Sequence, residues 1–155
     1  GSISYNKSTG DGGGVHTNAY GVSIGTDWIE LTISGSVRIE NNHTNGAWDD
    51  CYNAGGGVFL DGAGVKLVLS GSPTIWGNMA GGGTTRAVAS NNVFFTSRET
   101  SNNPKAVIDG TLTPAVPIGV SMQTPCVFTA SKFTSDKSGY TVTTSSDGQL
   151  QLASQ

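Results

Sequence analysis

Charged side chains are scarce in this sequence, and those present do not cluster. Asp, Glu, Lys and Arg make up 12% of 155 residues, against about 25% in an ordinary globular domain. With a net charge of −3 and no basic cluster, a nucleic-acid or anionic-membrane surface is not expected, because both concentrate Lys and Arg. Long apolar runs are missing too: nothing approaches the roughly 18 residues that cross a bilayer. Helical periodicity is absent, since no segment keeps apolar residues at i, i+3, i+4 and i+7, and 23 glycines are too many for helix interiors. The two histidines, His16 and His43, and two cysteines, Cys51 and Cys126, have no zinc-ligand spacing. The cysteines permit one disulfide closing 74 intervening residues, worth about 4 kcal/mol on the chain-entropy model. The alternative is two buried thiols acting as small hydrophobes.

What replaces charge is Gly, Ser, Thr and Asn, punctuated by short apolar bursts such as Val58-Phe59-Leu60 and Lys66-Leu67-Val68-Leu69. Low net charge and regular bursts favour an ordered β-protein over a disordered chain. The bursts recur. Ile3, Ile39 and Ile75 fall 36 residues apart, and each is followed after three residues by an asparagine, Asn6, Asn42 and Asn78. Leu31 to Ser36 maps onto Leu67 to Ser72 at the same offset, and Lys105 to Thr111 echoes Lys66 to Ser72 after 39 residues. A Gly-Gly-Gly-Val phrase ends at Val15 and again at Val58, with Asn91-Asn92-Val93 as a third version. Three short strands per repeat are therefore expected.

A period near 36 with β-type bursts predicts an all-β fold, a right-handed parallel β-helix (solenoid) of about three to four coils, in which like residues stack coil upon coil. The register predicts specific neighbours: Ile29 over Val65, Leu31 over Leu67, Ile33 over Leu69 and Ile39 over Ile75 in the interior. Glu30 falls over Lys66 outside, as opposite charges. Asn6, Asn42 and Asn78 should form an amide ladder at a turn. Glycines should occupy the tight corners where φ is positive. Gly1-Ser2 reads as a cloning scar, residues 3–111 as the coils, and 112–155 as a C-terminal cap. The cap ends in strands around Tyr140-Val142 and Leu150-Leu152, joined at Asp147-Gly148. The amino end starts mid-coil, so the natural protein is expected to continue upstream.

The phrase Leu69-Ser-Gly-Ser-Pro-Thr-Ile-Trp-Gly-Asn-Met-Ala-Gly-Gly-Gly83, followed by Lys132-Phe-Thr-Ser-Asp-Lys-Ser-Gly-Tyr-Thr-Val142, resembles the glycine-rich β-helix repeats of large cell-surface proteins of gut bacteria. It is also similar to repeats of autotransporter passenger domains and polymorphic outer-membrane proteins. The likeness covers most of the chain and is clearest at 31–83 and 131–152. It implies surface display, adhesion and host contact, and no catalytic residue, because the shared motif is scaffold. Trp76 and Met79 depart from it by standing where small residues are usual, as do seven extra residues between Asn42 and its glycine triplet.

That insertion is the most specific irregularity. It yields a loop at 43–54 carrying His43, Trp48, Asp49, Asp50 and Tyr52, and insertions in repeat proteins map to loops on one face, often the binding face. The competing reading folds Trp48 back over the coil and leaves the aspartates merely solvated. Asp49 and Asp50 are adjacent, a poor arrangement for glycoside hydrolysis, which places two carboxyls about 5–9 Å apart. No ligand-spacing motif supports calcium there. Gly21-Val22-Ser23-Ile24-Gly25 matches a nucleophile-elbow pattern only formally, since no helix follows. Trp76 either covers the coil or faces outward beside Arg38 as an aromatic platform.

The reading expected from the sequence is an extracellular, adhesin-like, non-enzymatic binding module, monomeric within a longer chain, needing no cofactor or metal. Its partner would be a host protein (an immunoglobulin among them) or a host glycan, met through Arg38, His43, Trp48, Asp49, Asp50, Tyr52 and Trp76. A passive spacer and, less favoured, a glycan-cleaving β-helix enzyme are the alternatives.

Overall fold

The computed structural model describes residues 1–18, 29–45, 55–62, 64–82, 87–96, 105–122, 127–128, 133–135, 140–144 and 150–154, and every regular element among them is a β-strand. With strands numbered in chain order, the first sheet holds β1 (Ser2–Ser4), β5 (Arg38–Glu40) and β9 (Thr74–Trp76). The second holds β2 (Lys7–Ser8), β6 (His43–Thr44), β10 (Met79–Ala80) and β11 (Ala89–Ser90). The third sheet runs β16 (Phe133–Ser135), β14 (Ile118–Met122), β12 (Val93–Thr96), β7 (Val58–Asp61), β3 (Val15–Asn18). The fourth runs β17 (Tyr140–Thr144), β18 (Leu150–Ser154), β15 (Val127–Phe128), β13 (Lys105–Leu112), β8 (Val65–Gly71), β4 (Ile29–Ile33).

The chain visits these sheets in one fixed order. β1 to β4 touch the first through fourth sheets in turn, β5 to β8 do so again, and β9, β10, β12 and β13 a third time. Successive visits pair in parallel with the register expected from the repeat. Ile29 pairs with Val65, Glu30 with Lys66, Leu31 with Leu67 and Ile33 with Leu69. Ile3 pairs with Ile39, and Ile39 with Ile75. Val58 pairs with both Val15 and Val93, and Lys105 with Lys66. Pairing begins at residues set aside as a scar: Ser2 faces Arg38, whose N–H donates to the Gly1 carbonyl at 3.0 Å.

Two features differ from the expectation. Each repeat contributes four strands rather than three, the extra one being the two-residue strand directly after the ladder asparagine. Parallel pairing also continues past residue 112, with Val93 opposite Val120 and Ile118 opposite Phe133. Antiparallel pairing closes the far end, where Val142 faces Leu152.

Alternation along the strands directs one set of side chains into a single shared core. Ile39, Val58, Leu60, Val65, Leu67, Leu69, Ile75, Val93, Phe95, Ile118 and Val120 are each at most 2% exposed. Burying each aliphatic of this set contributes about 1.5–3 kcal/mol. Ile3, Val15, Ile29 and Leu31, in the first repeat, are only partly buried against it.

Beside this core runs the asparagine ladder. Asn42 Oδ1 accepts from the Asn6 backbone N–H (3.0 Å) and from Asn6 Nδ2 (2.9 Å). Asn78 Oδ1 accepts the equivalent pair from Asn42, both at 3.0 Å. Asn92 Oδ1 takes the pair from Asn78, both at 3.1 Å, as a fourth rung. The amide groups also donate across to the carbonyls of Ile3 (2.9 Å) and Ile39 (2.8 Å). Asn42, Asn78 and Asn92 are buried, so each of these bonds replaces a water the site excludes.

Just before each of the first three rungs the backbone turns left-handed, at Tyr5 (φ 60°), Asn41 (φ 55°) and Gly77 (φ 67°). The glycine triplet has a different logic. Its first member, Gly55, is left-handed at φ 71°, but Gly56 and Gly57 are required for closeness. A Cβ on Gly56 would lie 2.6 Å from the Met79 backbone nitrogen and closer still to its carbonyl oxygen, and one on Gly57 would lie 2.8 Å from Asn78 Cγ. The triplet is thus the strip of backbone on which β10 and the ladder rest.

Candidate functional site

In the first sheet Ile39 and Ile75 point inward and are buried, and Ile3 packs partly against the same core, so the residues flanking them face out. Two outward rows result, Ser2–Arg38–Thr74 and Ser4–Glu40–Trp76, each crossing all three strands. Arg38 Nε and Nη2 both donate to Glu40 Oε2, at 3.0 and 2.8 Å, joining the rows. An exposed pair of this kind adds only about 0–1 kcal/mol of stability. Its consequence is positional: both side chains are held flat along the strand. Beside Glu40 the Trp76 side chain stands 53% exposed. Tyr5, 81% exposed, follows Ser4 at the corner just past β1, in line with Asn41 and Gly77 rather than in that row, its N–H donating to the Glu40 carbonyl at 3.3 Å. Of the two placements open for Trp76, the exposed one is observed; its cross-strand neighbour is Glu40, with Arg38 opposite Thr74 on the same face.

His43 lies elsewhere, on β6 of the second sheet. Its Nε2 donates to the Gly81 carbonyl at 2.8 Å, with the ring lying near Gly82, which ties the imidazole to the scaffold. Trp48, Asp49, Asp50 and Tyr52 lie outside the described residues, as do Cys51, Cys126, Trp28 and the segment 21–25. The roots of the insertion are visible. The Asn45 N–H donates to the Ser8 carbonyl at 2.9 Å, Thr44 Oγ1 to the Gly10 carbonyl, and the Gly55 N–H to Asn91 Oδ1 at 2.7 Å. Of the seven expected site residues the structure therefore joins Arg38 with Trp76 on one face and places His43 on another sheet.

The 36-residue register stacks Trp76 below Glu40, but the sequence reading counted neither Glu40 nor Tyr5 among the site residues. It also missed an aromatic column on the third sheet, where the His16 ring meets Phe59 edge-on at 4.9 Å and Phe59 stacks on Phe94 at 5.7 Å. Phe59 and Phe94 are buried apart from the main core. On the fourth sheet, Lys66 Nζ sits 2.6 Å from Glu30 Oε2 as expected. That bond, followed by one from Thr32, holds the Glu30 carboxyl below its ordinary value of 4.5.

Among the described residues no cluster of three or more His, Cys, Asp or Glu is arranged to hold a metal ion, and no helix is long and apolar enough to cross a membrane. No family model, curated protein or solved structure matches the chain.

Proposed function

We propose that the chain is wound as a right-handed parallel β-helix and serves as a non-enzymatic, extracellular binding module of a bacterial surface protein, meeting a host protein or glycan. The winding is supported by the fixed order of visits to four sheets with parallel register between visits. Its hand follows from the right-handed rule for parallel crossovers. The resemblance to glycine-rich surface repeats supports the setting.

The observation carrying the binding reading is Trp76. Half its surface is in water, on a strand whose backbone is fixed by parallel pairing, at the position that Ser4 and Glu40 hold in the two preceding repeats. A rigid aromatic ring beside an oriented Arg38–Glu40 pair loses little conformational entropy on meeting a ligand. The regular ladder and register also suit a passive spacer, which would not need the exposed indole.

The test is binding of purified immunoglobulins and an array of host glycans to the 155-residue chain and to a Trp76→Ala/Arg38→Ala variant. Saturable binding lost in the variant, with the far-UV circular dichroism unchanged, is the expected result. Binding by neither protein to any partner leaves the spacer.

A further inference from the structure

We infer that the outer face of the first sheet takes a neutral, linear oligosaccharide laid across the strands, with Trp76 and Tyr5 as stacking platforms and the Arg38–Glu40 pair between them as the hydrogen-bonding centre. This rests on the binding-module reading and names its ligand.

Size decides first. Three strands of three residues, at about 4.8 Å between strands and 3.3 Å per residue, span a backbone footprint on the order of 100–150 Å². A stable protein partner is held by several apolar anchors clustered at the centre of its interface. This face offers one indole, and one phenol stands at the corner just past its far strand, two strand spacings (roughly 10 Å) and one residue away. A short run of sugar rings fits that span.

Chemistry decides next. Ser4 and Glu40 share the row of Trp76, and Ser2, Arg38 and Thr74 form the row beside it. They supply hydroxyls that donate and accept, a carboxylate that accepts, and guanidinium hydrogens beyond the two bonds already given to Glu40. That inventory matches vicinal hydroxyl groups. The single positive and single negative charge neutralise each other at 2.8 Å, leaving no surplus cation to attract an anionic sugar. The faces of indole and phenol carry the negative side of the ring quadrupole, toward which the C–H face of a pyranose is drawn.

Tyr5 adds a second, independent sign. It holds φ at 60°, a conformation costly for a bulky L-residue, while 81% exposed. The equivalent corners are filled by Asn41 and Gly77, residues that adopt it more easily. Neither burial nor backbone geometry explains an aromatic at that corner; a ring placed for a ligand does.

Calorimetric titration of the chain with β-glucan, mannan and chitin oligomers, with sialyllactose and with purified immunoglobulin tests this. The expected outcome is saturable binding of at least one neutral oligomer, at least tenfold weaker in Trp76→Ala and weaker in Tyr5→Ala. Trp76→Phe should largely restore it, and the melting temperature should be unchanged by Trp76→Ala. Full binding by Trp76→Ala, or preference for sialyllactose over every neutral oligomer, overturns the inference. Immunoglobulin binding without any oligosaccharide binding overturns it while leaving the binding-module reading standing; silence from every ligand overturns both.

Discussion

Replacing Asn78 by alanine should be among the most damaging single substitutions in the chain. Its Oδ1 is the acceptor for two Asn42 donors, the backbone N–H and Nδ2, both at 3.0 Å. Its own Nδ2 donates to the Ile39 carbonyl at 2.8 Å and to Asn92 Oδ1 at 3.1 Å. Asn42 and Asn78 are fully buried, so water cannot take over these partners. Two orphaned donors at about 1–3 kcal/mol each, partly relieved by relaxation, give a loss of about 3–5 kcal/mol. For a domain of this size that is roughly 6–20 °C of melting temperature. The internal control is Asn6→Ala. Asn6 is exposed, and Asn42 Oδ1 keeps the Asn6 backbone N–H at 3.0 Å, so the loss there should stay near 1 kcal/mol or below. Urea unfolding followed by circular dichroism measures both. If Asn78→Ala costs no more than Asn6→Ala, the ladder is decoration and the reasoning from buried donors is wrong.

Gly56→Ala should destabilise by 3 kcal/mol or more, since its Cβ meets the Met79 backbone rather than a flexible side chain; overpacking against movable neighbours already costs about 1–3 kcal/mol. Gly10→Ala, with nothing within 4 Å of the added carbon, should be nearly neutral in the same melting assay. Tyr5→Asn should raise stability by about 0.5–1 kcal/mol by relieving the left-handed backbone, and a drop instead would mean that the exposed ring packs usefully. Glu30, its carboxyl lowered from 4.5 by Lys66, contributes stability that is present above that value and fades as acid protonates the folded carboxylate. A carbon-detected titration should therefore put its midpoint below 4.5, and a midpoint at or above 4.5 refutes the coupling.

The parallel register was legible because stacked side chains repeat their chemistry. Ile39 over Ile75 and Glu30 over Lys66 could be paired from the 36-residue offset alone. The second sheet was not, because its outward residues Lys7, His43 and Met79 share no chemistry and its strands are two residues long. The fourth rung was hidden as well: Asn92 follows Asn78 by 14 residues, brought in by the antiparallel β11 rather than by another full repeat. Beyond Gly110 the spacing contracts, to 27 residues from Val93 to Val120 and 15 from Ile118 to Phe133, so pairing persists where sequence periodicity does not. In the candidate site, strand alternation around Ile39 and Ile75 placed Arg38 and Trp76 outward. The bond from His43 to Gly81 depends on a backbone carbonyl, which no side-chain pattern encodes.

The asparagine ladder has a direction, every donor belonging to the earlier rung and every acceptor to the later one. A whole 36-residue unit spliced between two rungs would find its carbonyl awaited from behind and its amide received ahead. Gain or loss of a single residue within a paired strand would instead turn the following side chains of that strand to the wrong side. Between strands the chain absorbs changes of length, as offsets of 43, 35 and 27 residues along the third sheet show; within a strand a one-codon slip is ruinous, whereas duplication of a whole unit is gentle.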